Sequence, residues 1–151
     1  MDKVITYTSG TVNYDFKIDN VLEERLNLKH CHDYYEILYV VKGSGTFLVE
    51  GAEFAMEENS LVLIRPFEYH CVLLDEHCEY VRHVIHFTDK SFSKDVKELF
   101  ERMVGGEGSG SGVFYSKNNL NEKIINIFKD FEDVGSYFGK EREIFLSLIV
   151  E

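Results

Sequence analysis

A chain of 151 residues with 44% hydrophobic content can bury a core of its own as one domain, without disulfide or metal staples. Its 27 acidic and 16 basic residues leave a net charge of −11 with no Lys/Arg cluster, which excludes nucleic-acid binding through phosphate neutralisation by this chain alone. Three cysteines (Cys31, Cys71, Cys78) without paired spacing, and an N-terminus lacking an apolar leader, point to a reducing cytoplasm and no membrane span.

From about residue 4 to 88 the chain reads as short strands broken by turns. Tyr14, Phe16 and Ile18 alternate. Leu26, Leu28, His30 and His32 share one parity, so the two histidines extend an apolar inward face. The run Glu36–Val41 follows, then a turn at Gly43-Ser44-Gly45, a strand over Thr46–Glu50, and a hairpin turn at Glu50-Gly51 leading into Glu53–Met56. The polar break Glu57–Ser60 precedes Leu61–Ile64; Arg65-Pro66 bends the chain; Cys71–Leu74 and the long Glu79–Phe87 close the series. Many short strands at near-regular spacing predict a sandwich or barrel, here over residues 1–88. Twelve Phe and nine Tyr suit strands and an aromatic-lined pocket.

Over residues 89–151 the period becomes helical. Val96, Leu99, Phe100 and Met103 form one stripe, stopped by Gly105-Gly106 and a flexible GGEGSGSG loop. Asn119 with Glu122 resembles a capping box, and Leu120, Ile124, Ile127, Phe128 and Phe131 line the helix that follows. A third stripe, Tyr137, Glu141, Ile144, Phe145 and Leu148, runs to Glu151 and stops apolar and uncapped, as expected of a chain cut from a longer protein. Two or three helices are thus expected, one face covering the barrel and another available to a second copy as a homodimer.

The chemistry concentrates in HCHDYYEILYVVKG, with the spacing H-x-H-x3-E-x6-G from His30 through His32 and Glu36 to Gly43. Two imidazoles and a carboxylate on one strand face, with His70 as a fourth donor, suit a divalent transition metal: Zn, Ni, Fe or Mn. The same residues serve equally as the polar floor of a small-molecule pocket, with Glu36 paired to Arg65, Arg82 or a histidine because a buried carboxylate needs a partner. Strand alternation turns Cys31 away from that face. His83 and His86 differ in parity, so at most one points inward; with His77 they read as structural or surface residues.

His30, His32, Glu36 and Gly43 match the first motif of the cupin barrels, which the stretch from about His30 to Phe87 resembles. The second motif is matched in part: Asn59 stands at a usual glycine, Pro66 matches, and His70 ends a shortened PFEYH loop whose usual glycine is replaced around Phe67-Glu68. Asn tolerates the left-handed turn such a glycine provides. The variant pattern, HCHDYYEILYVVKGSGTFLVEG with NSLVLIRPFEYH, is more similar to the N-terminal sensor domain of AraC-type transcription regulators. That resemblance implies a mainly β fold, a cupin (double-stranded β-helix, jelly-roll) barrel followed by helices that dimerise. It implies a non-enzymatic domain binding a small polar effector, such as a sugar, through His30, His32, Glu36, Arg65, Tyr69 and His70, with no required cofactor. A metal would use His30, His32, Glu36 and His70. DNA would be bound only through a C-terminal helix-turn-helix domain that this chain lacks. The competing implication of the cupin resemblance is a metal-dependent dioxygenase or isomerase with a site of three histidines and one glutamate.

Overall fold

In a computed structural model the described residues, 3–9, 12–19, 28–88, 90, 94, 95, 98 and 113–132, form nine strands and one helix. In chain order these are β1 (Lys3–Ser9), β2 (Val12–Asp19), β3 (Tyr35–Lys42), β4 (Gly45–Val49), β5 (Ala52–Met56), β6 (Leu61–Ile64), β7 (His70–Leu74), β8 (Tyr80–Phe87), β9 (Val113–Tyr115) and α1 (Glu122–Glu132). Every pairing between strands is antiparallel. A six-stranded sheet runs β1-β2-β8-β3-β6-β9 and a three-stranded sheet runs β5-β4-β7.

Both faces of the large sheet are covered near its centre, which explains why β3 reads EILYVV rather than alternating with polar residues. Leu38 and Val40 face inward and pack with Phe47 and Val49 of the small sheet. Ile37 and Tyr39 face the other way and pack with Ile85, Phe87, Leu120 and Phe128. The helix thus closes the outer face with Ile124, Ile127 and Phe128, joined by Leu120 just before its first turn, along the stripe that the periodicity predicts. Its cap differs from expectation. Asn121, not Asn119, stands at the N-cap: its Oδ1 accepts the Lys123 amide at 2.8 Å, and its carbonyl accepts Ile124 N–H at 3.0 Å.

Two sequence departures find their reasons in the backbone. Asn59 takes the left-handed conformation (φ 64°), and its Oδ1 accepts the Tyr39 hydroxyl at 2.6 Å, a bond glycine could not make. Phe67 is also left-handed (φ 65°), at a cost of about 1 kcal/mol for a non-glycine residue. Gly45 is required for another reason: an added Cβ would lie 2.1 Å from the Leu73 carbonyl oxygen. The stripes expected over residues 96–103 and 137–148, and the dimer-forming tail and chain end read from them, lie outside the described residues. No helix among the described residues is long and apolar enough to cross a membrane.

Candidate functional site

The loop between β6 and β7 delivers His70. Glu68 is buried and clamps that loop, its carboxylate accepting the Arg65 amide at 2.8 Å and the Arg65 guanidinium at 2.9 and 2.6 Å. Phe67 N–H donates to the His32 carbonyl at 2.7 Å, which ties the loop to the segment before β3. His30 and His70 then exchange backbone hydrogen bonds at 3.1 and 2.9 Å as an isolated antiparallel bridge. Their rings lie 4.3 Å apart between centroids, and the His32 ring lies 4.9 Å from that of His70.

Backbone carbonyls fix three histidine tautomers, because a carbonyl oxygen only accepts. His30 Nδ1–H donates to Leu28 O at 3.0 Å, His32 Nδ1–H to Tyr34 O at 2.8 Å, and His70 Nδ1–H to Glu68 O at 2.8 Å. His32 also stacks on the Tyr34 ring at 4.0 Å. Its Nε2 meets Glu36 Oε2 at 3.2 Å, and His86 Nε2 meets the same oxygen at 2.8 Å. Burial opposes ionisation of Glu36, but the hydrogen bonds from His32 and His86 outweigh it, and the carboxyl is held well below its ordinary range. Burial likewise disfavours a charged His32, yet the bonds to Glu36 and the Tyr34 carbonyl prevail and its pKa rises. Both ring nitrogens of His32 face oxygen acceptors, an arrangement that favours its protonated form opposite the Glu36 carboxylate. His70 behaves oppositely: burial lowers its pKa, and its Nε2 lone pair is buried with no hydrogen-bond partner.

These groups line one end of a cavity of about 260 Å³ between the two sheets. Leu38, Phe47, Val49, Ile64, Val72 and Val84 form its apolar walls, and Tyr34, Cys71, Tyr80 and Arg82 also line it. His30, His32, Glu36 and His70 all line it, as does Cys31, contrary to the expectation that it turns away. Arg65 and Tyr69 do not: Arg65 is committed to Glu68, and Tyr69 is 55% exposed outside the cavity. Their nearness to His70 in sequence misleads, because alternate residues of an extended segment face opposite ways.

His86 is the residue that sequence reasoning missed. The β3–β8 register sets it directly opposite Glu36, and that pairing is invisible without the sheet. Its parity was the available signal, since only one of His83 and His86 can face inward. His83 turns to the outer core, between Tyr39 and Phe128, and His77 is exposed beside Lys42 and Glu79 at a separate surface hollow.

The converging donor set differs from the expected His30, His32, Glu36 and His70. Donor atoms of His32, Glu36 and His86 lie within 4.8 Å of one another; His30 is not part of that group and its residue is exposed. Two imidazoles and a carboxylate, beside the bare Nε2 of His70, fit a divalent transition metal, provided His32 and His86 release the Nε2 protons they now donate.

Residues 28–101 match the family model described as AraC-like ligand binding domain. No curated protein matches the chain. Among solved structures, a cupin protein from Bacteroides fragilis is 12% identical over 61% of this chain and 81% of its own, with a TM-score of 0.52, which shows the fold. An RmlC-like cupin family protein with a double-stranded β-helix fold from Methanocaldococcus jannaschii is 16% identical over 58% of this chain and 81% of its own, with a TM-score of 0.49. With its two antiparallel sheets closing on a histidine-lined cavity, the chain has the cupin-barrel fold, and its residues 28–101 are similar to the AraC-like ligand binding domain family.

Proposed function

We propose that this chain is the effector-sensing part of an AraC-type transcription regulator: a cytoplasmic, non-catalytic domain that holds a small polar metabolite in the barrel. Residues 1–88 serve as the sensor and residues 89–151 as the helical part that covers it and pairs with a second copy. DNA would be engaged only by a further C-terminal helix-turn-helix domain. The observation that carries the reading is the cavity itself, enclosed between two sheets, with ionised and hydrogen-bonding groups at its His32–Glu36–His86 end and apolar walls beyond. His30, His32, Glu36, His70 and His86 would contact the effector. Binding acts on the regulator only so far as it favours one arrangement of barrel, helices and dimer over another. Thermal-shift and calorimetric screening against a broad metabolite panel, with and without added metal, tests this. A dissociable ligand lost on Glu36→Gln is expected; silence across the panel sinks it.

One observation favours a second reading, a metal-dependent oxygenase or isomerase: the buried, partnerless Nε2 of His70 beside three convergent donors. His32, Glu36, His86 and His70 would hold Zn, Ni, Fe or Mn, which when bound supplies Lewis acidity or oxygen activation. The chain's own part is to fix the imidazoles through their Nδ1–H bonds to Tyr34 O and Glu68 O and to keep bulk water from the apolar walls. Elemental analysis of protein purified without added metal decides. Stoichiometric metal, lost on His32→Ala together with a turnover activity, would replace the sensor reading.

A further inference from the structure

The two ends of the cavity differ in chemistry, and β8 spans them. Arg82, Val84 and His86 share one parity, line the cavity, and stand opposite Val40, Leu38 and Glu36 of β3. At about 3.3 Å per strand residue, Arg82 and His86 are set roughly 13 Å apart. The guanidinium leans farther from His86, with Cζ 4.2 Å from the centroid of the Tyr80 ring. One end is therefore cationic and donating. The other accepts, through the Glu36 carboxylate and the buried Nε2 lone pair of His70. Between them Leu38 and Val84, opposite each other on β3 and β8, present a stretch of aliphatic wall.

We propose that the cavity takes a compact carboxylate with an apolar body and one hydroxyl at its far end. The proposal rests on the effector reading above and names the ligand class. The carboxylate sits on Arg82, whose planar fork suits a two-oxygen anion and whose five N–H donors serve more than one partner. The body lies between Leu38 and Val84, and the hydroxyl donates at the Glu36–His70 end. A cavity of about 260 Å³ is small for a drug-sized molecule and holds a single ring or short chain. A sugar fits poorly, because hydroxyls facing the aliphatic stretch of wall lose water without gaining a partner.

Isothermal titration of the full chain with four probes tests this: 4-hydroxybenzoate, its neutral isostere 4-hydroxybenzamide, benzoate and D-glucose. The hydroxy acid is expected to bind tightest, the amide at least tenfold weaker, benzoate several-fold weaker, and glucose not at all. Arg82→Gln should bring the acid down to about the amide's affinity, and Arg82→Lys should fall between. An amide as tight as the acid in the unmodified chain, or preference for glucose, overturns the proposal without needing any variant to fold. Silence from all four overturns this ligand class, whereas the effector reading itself fails only with silence across the broad panel.

Discussion

The two faces of the large sheet are made by the same strands and do opposite work. On the outer face Ile37, Tyr39, Ile85 and Phe87 meet Phe128 of the helix and Leu120 just before it, and the Tyr39 and Phe128 rings stack at 4.2 Å with only 4° between planes. The buried histidine there, His83, is pushed down to about 3 by desolvation and stays neutral. On the inner face Glu36, Arg82 and His86 interrupt the aliphatic residues and border open space. Stability is concentrated where side chains fill the gap between layers, and recognition where they leave it unfilled and charged. Each strand carries both because its side chains alternate.

Phe128→Ala should separate the faces most sharply. Removing a fully buried ring that stacks on Tyr39 is expected to cost about 3–5 kcal/mol in urea denaturation. Affinity of the folded fraction for 4-hydroxybenzoate should stay within twofold, because no residue of α1 lines the cavity. A large loss of affinity would mean that the outer core sets the site's geometry. Glu36→Gln attacks the inner face instead. It removes the buried carboxylate shared by the half-buried His32 and His86 and leaves their donors facing an amide, so roughly 3 kcal/mol of stability should go, as when one partner of a buried pair is removed. Here ligand binding should fail as well, and titration at a temperature where the variant remains folded checks this.

This division accounts for what could be read from the sequence. The strands, the turn at Gly43, and the meeting of His30, His32, Glu36 and His70 around one cavity follow from period-two alternation and turn chemistry, both local signals. The helical stripe Leu120–Phe128 follows from local periodicity too. What failed depended on pairing between distant segments. His86 joins Glu36 only through a register spanning 50 residues, and Arg82 enters the cavity through the same strand. Arg65 and Tyr69, neighbours of His70 in sequence, look like site residues until the loop is seen to spend Arg65 on Glu68 and turn Tyr69 outward.

Acid should act on the two faces in distinguishable windows. A base whose folded pKa is depressed binds fewer protons in the native chain than in the unfolded one, so its stability is present above the unfolded value and lost as pH falls. For His83, between its ordinary 6.5 and about 3, this amounts to roughly 2 kcal/mol lost by pH 5. His70, also lowered by burial, acts in the same direction. Glu36 adds its share only below its ordinary 4.5, as the carboxylate protonates. His32 has the opposite sign: its raised pKa gives stability that is present below 6.5 and lost as pH climbs through the raised value. His83→Leu should therefore flatten urea stability between pH 6.5 and 5, whereas Glu36→Gln should keep or steepen that slope, because His32 and His70 lose the carboxylate that supports their charged forms, and should remove the loss below 4.5. A His83→Leu variant with the original slope would assign the acid sensitivity to the inner face.

The smallest effect probes how the outer face is assembled at its edge. Asn121 accepts the Lys123 amide at the first turn of α1, so Asn121→Ala should cost about 1 kcal/mol, whereas Asn119→Ala, two residues earlier and outside the helix, should cost less than half as much. The Asn119 side chain is exposed, and its own amide is held instead by the Ser116 carbonyl at 2.9 Å, a bond that alanine retains. Because Leu120 is buried against the sheet just before the cap, fraying of the first turn should be felt as looser packing of Leu120 and Ile124 while the cavity stays intact. Amide hydrogen exchange at Ile124 and Ile125, whose N–H groups bond the Asn121 carbonyl, reads that fraying directly. Faster exchange in the Asn119 variant than in the Asn121 variant would restore the capping box expected from Asn119 and Glu122.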